Sequence, residues 1–396
     1  MRRLAVALLL AAAGTRVALA QTKPAGPVKE EPKPVTPEEI QRLRREIERE
    51  TRSSLEALFD GRTENGDLNN ELRYLRVGAR LDLKRGSARS FQITARYTSY
   101  TTQDDVVQES GASLVVGARN RPSDRLEYEW ELGALHFSNE TWNGTGRARV
   151  AVHSSDSFRY SVGVSRSLVE ESMLSAVGLF PVVGPFAGSK VGAVTDNRLS
   201  GGLTWQFRSR FDLVAEAAAG VYSGSNVGSN FFKRAGGGPG WNAIARAPEE
   251  PVSFLRLGVW FEYFGFDEDR LGYGGASLLD ARGQPVPLSK LGSDGILPDP
   301  DPPHPGVGGY FSPHSFTSTV VRVEVRGRLG RRHDYSLTAF VGGQSYTGSD
   351  RRTAGGVAAA LTLRAGDRFS VPLTYVWDNY GPFKQQSVQS RLVLHF

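Results

Sequence analysis

Six histidines, no cysteine and carboxylates scattered along the chain limit the chemistry open to this sequence. Without cysteine there is no thiolate metal site, no disulfide and no lipid anchor on Cys. The histidines and acids do not fall at metal-ligand spacing, and no Ser-His-Asp set stands in a persuasive context, so no cofactor and no catalytic residue is expected. Gly236-Gly237-Gly238-Pro239-Gly240 lacks the lysine and the following helix of a phosphate loop. It reads as a flexible loop tip. What remains is charge at a spacing of two. Glu127, Glu129 and Glu131 form an acidic row, Arg147 and Arg149 face the same way one segment later, and Arg322, Glu324, Arg326 and Arg328 form a mixed row. Opposite signs on neighbouring strands favour local pairing, and a lining of mixed sign holds water without selecting for one charge. The candidate pore-lining residues are therefore Glu127, Glu129, Glu131, Arg147, Arg149, Arg322, Glu324 and Arg326. Trp142, Trp241 and Tyr380 fall in predicted long loops. Sugar rings present apolar faces that stack on aromatics, so these three, with Tyr310 and Phe311, are candidate glycan-stacking residues. An interface girdle or loop packing is the competing reading for each.

Charge repeating at every second residue requires strands, because successive side chains point to opposite faces. Leu75, Val77, Ala79, Leu81 and Leu83 alternate with Tyr74, Arg76, Gly78, Arg80 and Asp82. Phe91, Ile93, Ala95 and Tyr97 alternate with Gln92, Thr94, Arg96 and Thr98. Leu126, Tyr128, Trp130, Leu132 and Ala134 alternate with the acidic row. The last stretch does the same: Val388, Leu392, Leu394 and Phe396 lie on one face, and Gln389, Arg391 and His395 on the other. The polar faces are dense in charge and the apolar faces carry aromatics. In a membrane barrel such an apolar face meets lipid, and Trp and Tyr gather at the two interfaces. Mean hydropathy is slightly negative, as expected when apolar and polar residues alternate.

Connection lengths sharpen the topology. Short turns are predicted near Lys84–Ala88, Asn120–Ser123, Ser154–Asp156, Ser209, Phe266–Asp269, Leu329–Arg332 and Ala365–Gly366. Long loops are predicted near Thr63–Glu71, Thr101–Glu109, Ser138–Gly144, Ser167–Thr195, Ser223–Pro251, Asp280–Pro313, Thr347–Arg352 and Asp378–Gln385. Seven short and eight long connections alternate and separate about sixteen strands. Outer-membrane barrels have short periplasmic turns and long external loops, and this parity puts both ends of the barrel on the periplasmic side. Ser53–Arg62 and Arg270–Leu279 are the weakest strands; without them the count is fourteen. Pro372, inside an otherwise good strand, predicts a bulge or a missing ladder bond. The fold class is all-β: a transmembrane antiparallel β-barrel preceded by a short periplasmic helix.

Residues 1–20 read as a secretory signal peptide, with Arg2 and Arg3 ahead of a short apolar run and Ala18-Leu19-Ala20 as cleavage site. Residues 21–35 are a Pro- and Lys-rich disordered spacer. Thr36-Pro37-Glu38-Glu39 is a helix start, with Pro37 in the first turn and Glu39 at the capping-box position. The helix spans 36–52, as a solvated periplasmic element, a docking surface or a partial plug. The barrel spans 53–396. Of the net charge of +6, three units belong to Arg2, Arg3 and Arg16, so no nucleic-acid partner follows.

Gly308-Gly309-Tyr310-Phe311-Ser312-Pro313-His314-Ser315-Phe316 resembles the Gly-Tyr-Tyr/Phe-Ser-Pro-Gln segment in the C-terminal domain of the bacterial cellulose synthase C protein. Gly309, Tyr310, Phe311, Ser312 and Pro313 carry the likeness, and His314 departs from the usual Gln. Arg62-Thr63-Glu64-Asn65-Gly66-Asp67-Leu68 is similar to the Arg-x-Gly-Glu-x-Gly-Leu stretch after that family's first barrel strand. Ending on Phe396 resembles the assembly signal of outer-membrane barrels. The resemblance covers about Ser53–Phe396 and implies a sixteen-stranded outer-membrane barrel that exports a polysaccharide, cellulose-like or another exopolysaccharide. The family's helical-repeat array has no counterpart here, so a separate periplasmic or inner-membrane synthesis or export protein is the implied partner, beside outer-membrane lipid and the barrel assembly machinery. The Pro-rich stretch Gln284–Pro305 is a candidate lid or a surface loop. A general small-solute porin and a barrel enzyme are the alternative functions.

Overall fold

The computed structural model describes residues 51–66, 71–101, 108–178, 189–208, 210–248, 250–268, 277–279, 285–287, 310–330, 332–347, 349–381 and 383–396. The first half of the sheet runs β1 (Ser54–Gly66), β2 (Glu71–Arg85), β3 (Arg89–Thr101), β4 (Gln108–Ser123), β5 (Leu126–Phe137), β6 (Trp142–Ser155), β7 (Phe158–Leu168) and β8 (Gly192–Arg208). The second half begins with β9 (Phe211–Ser225), β10 (Val227–Ala245) and β11 (Phe254–Phe266). Two three-residue strands follow, β12 (Ser277–Leu279) and β13 (Pro285–Pro287), and they pair only with each other. The sheet then resumes with β14 (Phe316–Leu329), β15 (His333–Tyr346), β16 (Arg352–Ala365), β17 (Phe369–Tyr380) and β18 (Phe383–His395). The sixteen long strands close into one antiparallel barrel, sealed where β1 meets β18 in a ladder from Ser54↔His395 to Gly66↔Phe383. Closure leaves no edge strand, so every ladder N–H and C=O can find a partner away from water, which the bilayer interior demands.

The register carries the alternation across the sheet. Leu81, Ile93, Val116, Leu132 and Gly146 occupy one outward row, with partners Leu81↔Ile93, Ile93↔Val116, Val116↔Leu132 and Leu132↔Gly146. Outward leucines, valines and aromatics are exposed all round the barrel, which is the apolar belt a bilayer covers. Both ends of the barrel lie on the rim that carries the tight turns. Gly86 and Gly366 hold φ values of 70° and 69° in two of these turns, a conformation that other residues adopt at a cost.

Sixteen is the expected number, reached by a different assignment. The expected loop Ser223–Pro251 contains β10, which follows β9 after a tight turn at Asn226, φ 49°. The strand expected at Arg270–Leu279 is not a barrel strand: Ser277–Leu279 pairs with Pro285–Pro287 and the rest lies outside the described residues. The end of β11 at Phe266 therefore lies on the long-loop rim, and the connection between β10 and β11 falls on the opposite rim. The difference originates in Gly236–Gly240. Gly236, Gly238 and Gly240 face inward on β10, where β11 lays a side chain across the first and the last and crowds the middle one with the Val259 carbonyl. A Cβ on Gly236 would sit 3.0 Å from the Trp260 ring, and one on Gly240 would collide with the Arg256 guanidinium. Pro372 behaves as expected: the β17–β18 ladder skips from Ser370↔Val393 to Leu373↔Ser390, because proline has no N–H to give. The predicted signal peptide, spacer and helix lie outside the described residues, apart from Thr51 and Arg52.

Candidate functional site

The inward face of the barrel is a wall of locally matched charges. Glu127 meets Arg119 at 2.8 Å, and Glu131 meets Arg147 at 2.9 Å and accepts from Gln92 at 2.5 Å. Glu129 shares their row. Arg149 faces inward and donates to Ser161 at 3.2 Å. Arg326 donates through Nε to Glu324 at 2.7 Å, and Arg328 meets Asp334 at 3.0 Å. Arg322 shares that row without an ion pair among the described residues. Arg256 grips Asp212 through two nitrogens, at 2.6–3.2 Å, and Asn242 donates to the same carboxylate at 3.1 Å. Paired side chains keep the wall wettable with little net field along it.

The outer half of this lumen is occupied by the chain itself. The connection between β7 and β8 turns inward and forms one helical turn, α1 (Met173–Ala176). Ser172 caps it: its Oγ accepts from the Ser175 N–H at 3.1 Å, and Ser175 Oγ accepts from the Ser172 N–H at 3.0 Å. All four α1 residues are buried. Met173, Ala176 and Val177 pack on Leu72, Tyr74, Tyr100, Leu135 and Phe137 of β2, β3 and β5. Val169, Leu174 and Val191 pack on Tyr222, Phe232 and Phe266 of β9, β10 and β11. The loop thus bridges facing walls, and Gly192, φ 98°, allows its return because a Cβ there would strike the Leu174 backbone.

A second segment, Tyr310-Phe311-Ser312-Pro313, wedges beside it. Tyr310 is 0% exposed, 4.9 Å from the Tyr222 ring, and Phe311 packs edge-on against Phe264, Tyr346 and Phe383. Two adjacent carboxylates fasten the plug. Glu170 accepts from Arg76 Nη2 at 2.6 Å and from the Tyr100 hydroxyl at 2.7 Å. Glu171 accepts from the Phe311 N–H at 2.6 Å. Burial pushes the Glu171 carboxyl up to about 8, against the opposing pull of that N–H. Burial also draws Lys190, 5.7 Å from the Phe137 ring centre, down to about 8.

The five candidate stacking residues are not brought together. Trp142 is on the outward face beside His136, at the long-loop rim. Trp241 lies on β10 opposite Phe211, outward at the tight-turn rim. Both sit where an interface girdle would. Tyr310 and Phe311 are buried in the plug and offer no free ring face. Tyr380 faces inward, but its hydroxyl donates to Glu262 and its ring lies 4.9 Å from Phe316. The inward aromatics that the sequence reading missed include Trp260, over Gly236, and Phe340, over Gly356, beside the rings of Tyr100, Tyr222, Phe232 and Phe266 that meet the plug. Continuing the alternation from Arg256 and Glu262, or from Thr338 and Gln344, would have placed them. Glu170 and Glu171 had no such signal, because they lie in a loop. Gly309 and most of Gln284–Pro305 lie outside the described residues. His314, where the resembling family has Gln, places Nδ1 3.3 Å from the Phe266 carbonyl oxygen. Phe396 faces outward and donates its N–H to the Ser53 carbonyl at 3.0 Å.

A family model described as the cellulose synthase operon protein C C-terminus matches residues 63–275. The match ends before Tyr310, so the wedge segment lies beyond it. Among solved structures, a bacterial polysaccharide outer membrane secretin is similar over 88% of this chain and 99% of its own, with 13% identity and a TM-score of 0.58. CdiB from Acinetobacter baumannii covers 86% of this chain and 60% of its own, at 8% identity and a TM-score of 0.40. OccK5 from Pseudomonas aeruginosa covers 87% and 98%, at 9% identity and a TM-score of 0.39. No curated protein matches.

Proposed function

The chain belongs to the family of the cellulose synthase operon protein C C-terminus, and from that premise we propose that it is the outer-membrane conduit for a secreted polysaccharide. The observation that carries this reading is the combination of a charge-paired, hydrophilic lumen with a plug folded from the chain's own loops. A polymer pushed from the periplasm needs a wet passage with few sticky charges and a door that shuts behind it. Synthesis behind the inner membrane supplies the push. The partners on this reading are the polysaccharide, outer-membrane lipid around the apolar belt, the assembly machinery at Phe396, and a periplasmic or inner-membrane synthesis or export protein docking near the predicted helix. Residues 1–20 would be removed on secretion. Family and fold point to transport rather than to catalysis.

A general small-solute porin needs a standing opening, whereas α1 and the Tyr310–Pro313 wedge pack on facing sectors of the wall and narrow the outer lumen. Secretion in a clean deletion strain tests the proposal. Surface polysaccharide should fall while periplasmic polymer rises or synthesis stalls. Normal surface polymer, with the protein located in the outer membrane of the parent strain, would overturn it.

A further inference from the structure

We propose that Arg76, Arg96 and Tyr100 form a receptor for acidic groups on the passing polymer, and that Glu170 of the plug occupies it in the closed barrel. The inference rests on the conduit reading and adds the chemical class of cargo: a polysaccharide bearing carboxylates or comparable anionic substituents.

Most wall arginines have an acid of their own, but this sector does not divide so evenly. Arg76 and Arg80 face inward on β2, Arg96 on β3 and Arg391 on β18. The register sets Arg391, Leu58, Gly78 and Arg96 side by side. Gly78 is what lets the Arg96 stem lie across β2, since a Cβ there would come 2.8 Å from Arg96 Cγ. Against four guanidinium groups the wall sets Asp60 and Glu56 as ion-pair partners, with Asp82 beyond Arg80 on the same face of β2 and Glu131, itself paired with Arg147, across the plug-side cavity. Asp60 lies 3.5 Å from Arg76, and Glu56 lies 3.9 Å from Arg80 and 3.5 Å from Arg391. Arg96 has no ion pair among the described residues. Together these arginines line a cavity of about 440 Å³ that also reaches Asp60 and Gln389. A second cavity of about 440 Å³ borders Arg76, Arg96 and Glu170 on the plug side.

Crowded guanidinium groups in a partly desolvated wall repel each other and favour any anion that can bridge them. The closed barrel already holds such an anion. The Glu170 carboxylate takes a charge-assisted bond from Arg76 and a hydroxyl bond from Tyr100, with Arg96 bordering the same space. When the plug withdraws, those donors lose their acceptor. A carboxylate on a sugar ring arriving from the periplasmic side can take the same two bonds. Exchange of one carboxylate for the other offsets the cost of breaking the latch, so cargo binding and plug release favour each other by the same factor.

The test uses the purified full-length barrel in detergent and two probes of equal length, trigalacturonate and cellotriose, with binding followed by calorimetry. Trigalacturonate should bind about tenfold or more tightly to Glu170→Gln, which keeps an oxygen for Arg76 and Tyr100 but removes the competing charge, and about tenfold or more weakly to Arg96→Gln. Arg96→Lys should recover part of the loss. Cellotriose should ignore all three changes. Arg96 has no ion pair to lose among the described residues, and heat-modifiable gel mobility verifies that each variant is a closed barrel. Equal affinity for both probes, or trigalacturonate binding indifferent to Glu170→Gln and Arg96→Gln, would overturn the receptor and leave export untouched. Arg96-dependent binding together with normal secretion in the deletion strain would do the reverse.

Discussion

The plug should open most readily near pH 8, and the reason lies in two loop residues. Glu171 is enclosed by the plug, and its carboxyl is raised to about 8 in the closed barrel from the ordinary 4.5. Its surroundings act in both directions: Glu64 and Asp196 push it up, while Arg62 and the Phe311 N–H pull it down. In the open barrel the side chain is hydrated and returns toward its ordinary value. Below the ordinary value both states hold the proton and Glu171 has no effect. Between that value and about 8 the closed state keeps a proton that the open state has released, so closure loses ground as pH rises. From pH 6 to pH 8 the loss is about 2 kcal/mol, roughly thirtyfold in the open-to-closed ratio. Lys190 acts in the next window with the opposite sign. Its closed-state value of about 8 lies below the ordinary 10.5, so closure regains ground as pH rises from about 8. Being only half-buried, Lys190 contributes the smaller effect.

Planar-bilayer recordings of the reconstituted barrel measure this directly. Open probability should climb between pH 6 and pH 8 and turn down above that. Glu171→Gln keeps a carbonyl oxygen for the Phe311 N–H and removes the titration, so its climb should vanish while the downturn persists. A wild-type open probability flat from pH 6 to pH 8, or a Glu171→Gln barrel with the parent's climb, would refute the burial argument.

Three further outcomes follow from the geometry. Phe311→Ala removes the ring that joins the wedge to Phe264, Tyr346 and Phe383; the closed state should lose about 3 kcal/mol or more, and proteoliposomes should swell faster in small sugars than those carrying the parent barrel. Gly238→Ala places a Cβ against the Val259 carbonyl oxygen; unfolding in urea, read by heat-modifiable gel mobility, should shift to lower denaturant by about 1–3 kcal/mol, whereas Gly144→Ala, with open space at that position, should leave the midpoint unchanged. Arg256→Ala strands the Asp212 carboxylate with Asn242 as its remaining donor; the same urea assay should show a loss of about 3 kcal/mol, and Asp212→Asn in the same chain should restore much of it.

The barrel was legible because one rule recurs in every strand. Alternation placed Glu127, Glu131, Arg147, Glu324 and Arg326 inward, and the ladder honours it. Terminal residues Val388 to Phe396 fell on their faces for the same reason. The rule failed at β10, where five residues rich in glycine carry almost no side chain to alternate. Those glycines answer to Trp260, Val259 and Arg256 on β11, and no local pattern reports what a neighbouring strand lays across a backbone. The site was less legible for a related reason. Tyr310 and Phe311 stood as candidate stacking rings, yet the segment that carries them folds into the lumen and buries both. Whether a loop turns in or out depends on partners such as Tyr222 and Phe137, which are far away in the chain. Glu170 and Glu171 become meaningful only when Arg76 and the Phe311 N–H stand beside them.

That inward fold explains how one barrel can be narrowed at rest and still passable. The plug is held by three small apolar clusters centred on Tyr100, Tyr222 and Phe311, and by two carboxylates on adjacent residues. None of the three clusters is a continuous core, so each can part without unpicking a β-ladder, and the sixteen-strand closure keeps its own hydrogen bonds throughout. Glu170 and Glu171 face different partners, the wall and the second segment respectively. Releasing Glu170 removes the first loop's polar tie to β2 and β3, and releasing Glu171 removes its polar tie to the wedge, while the apolar contacts remain. A stimulus acting on one, whether an arriving anion or a lost proton, therefore weakens half of the latch and leaves the other half to reclose it. Such a division favours brief, reversible opening under load over permanent collapse of the seal.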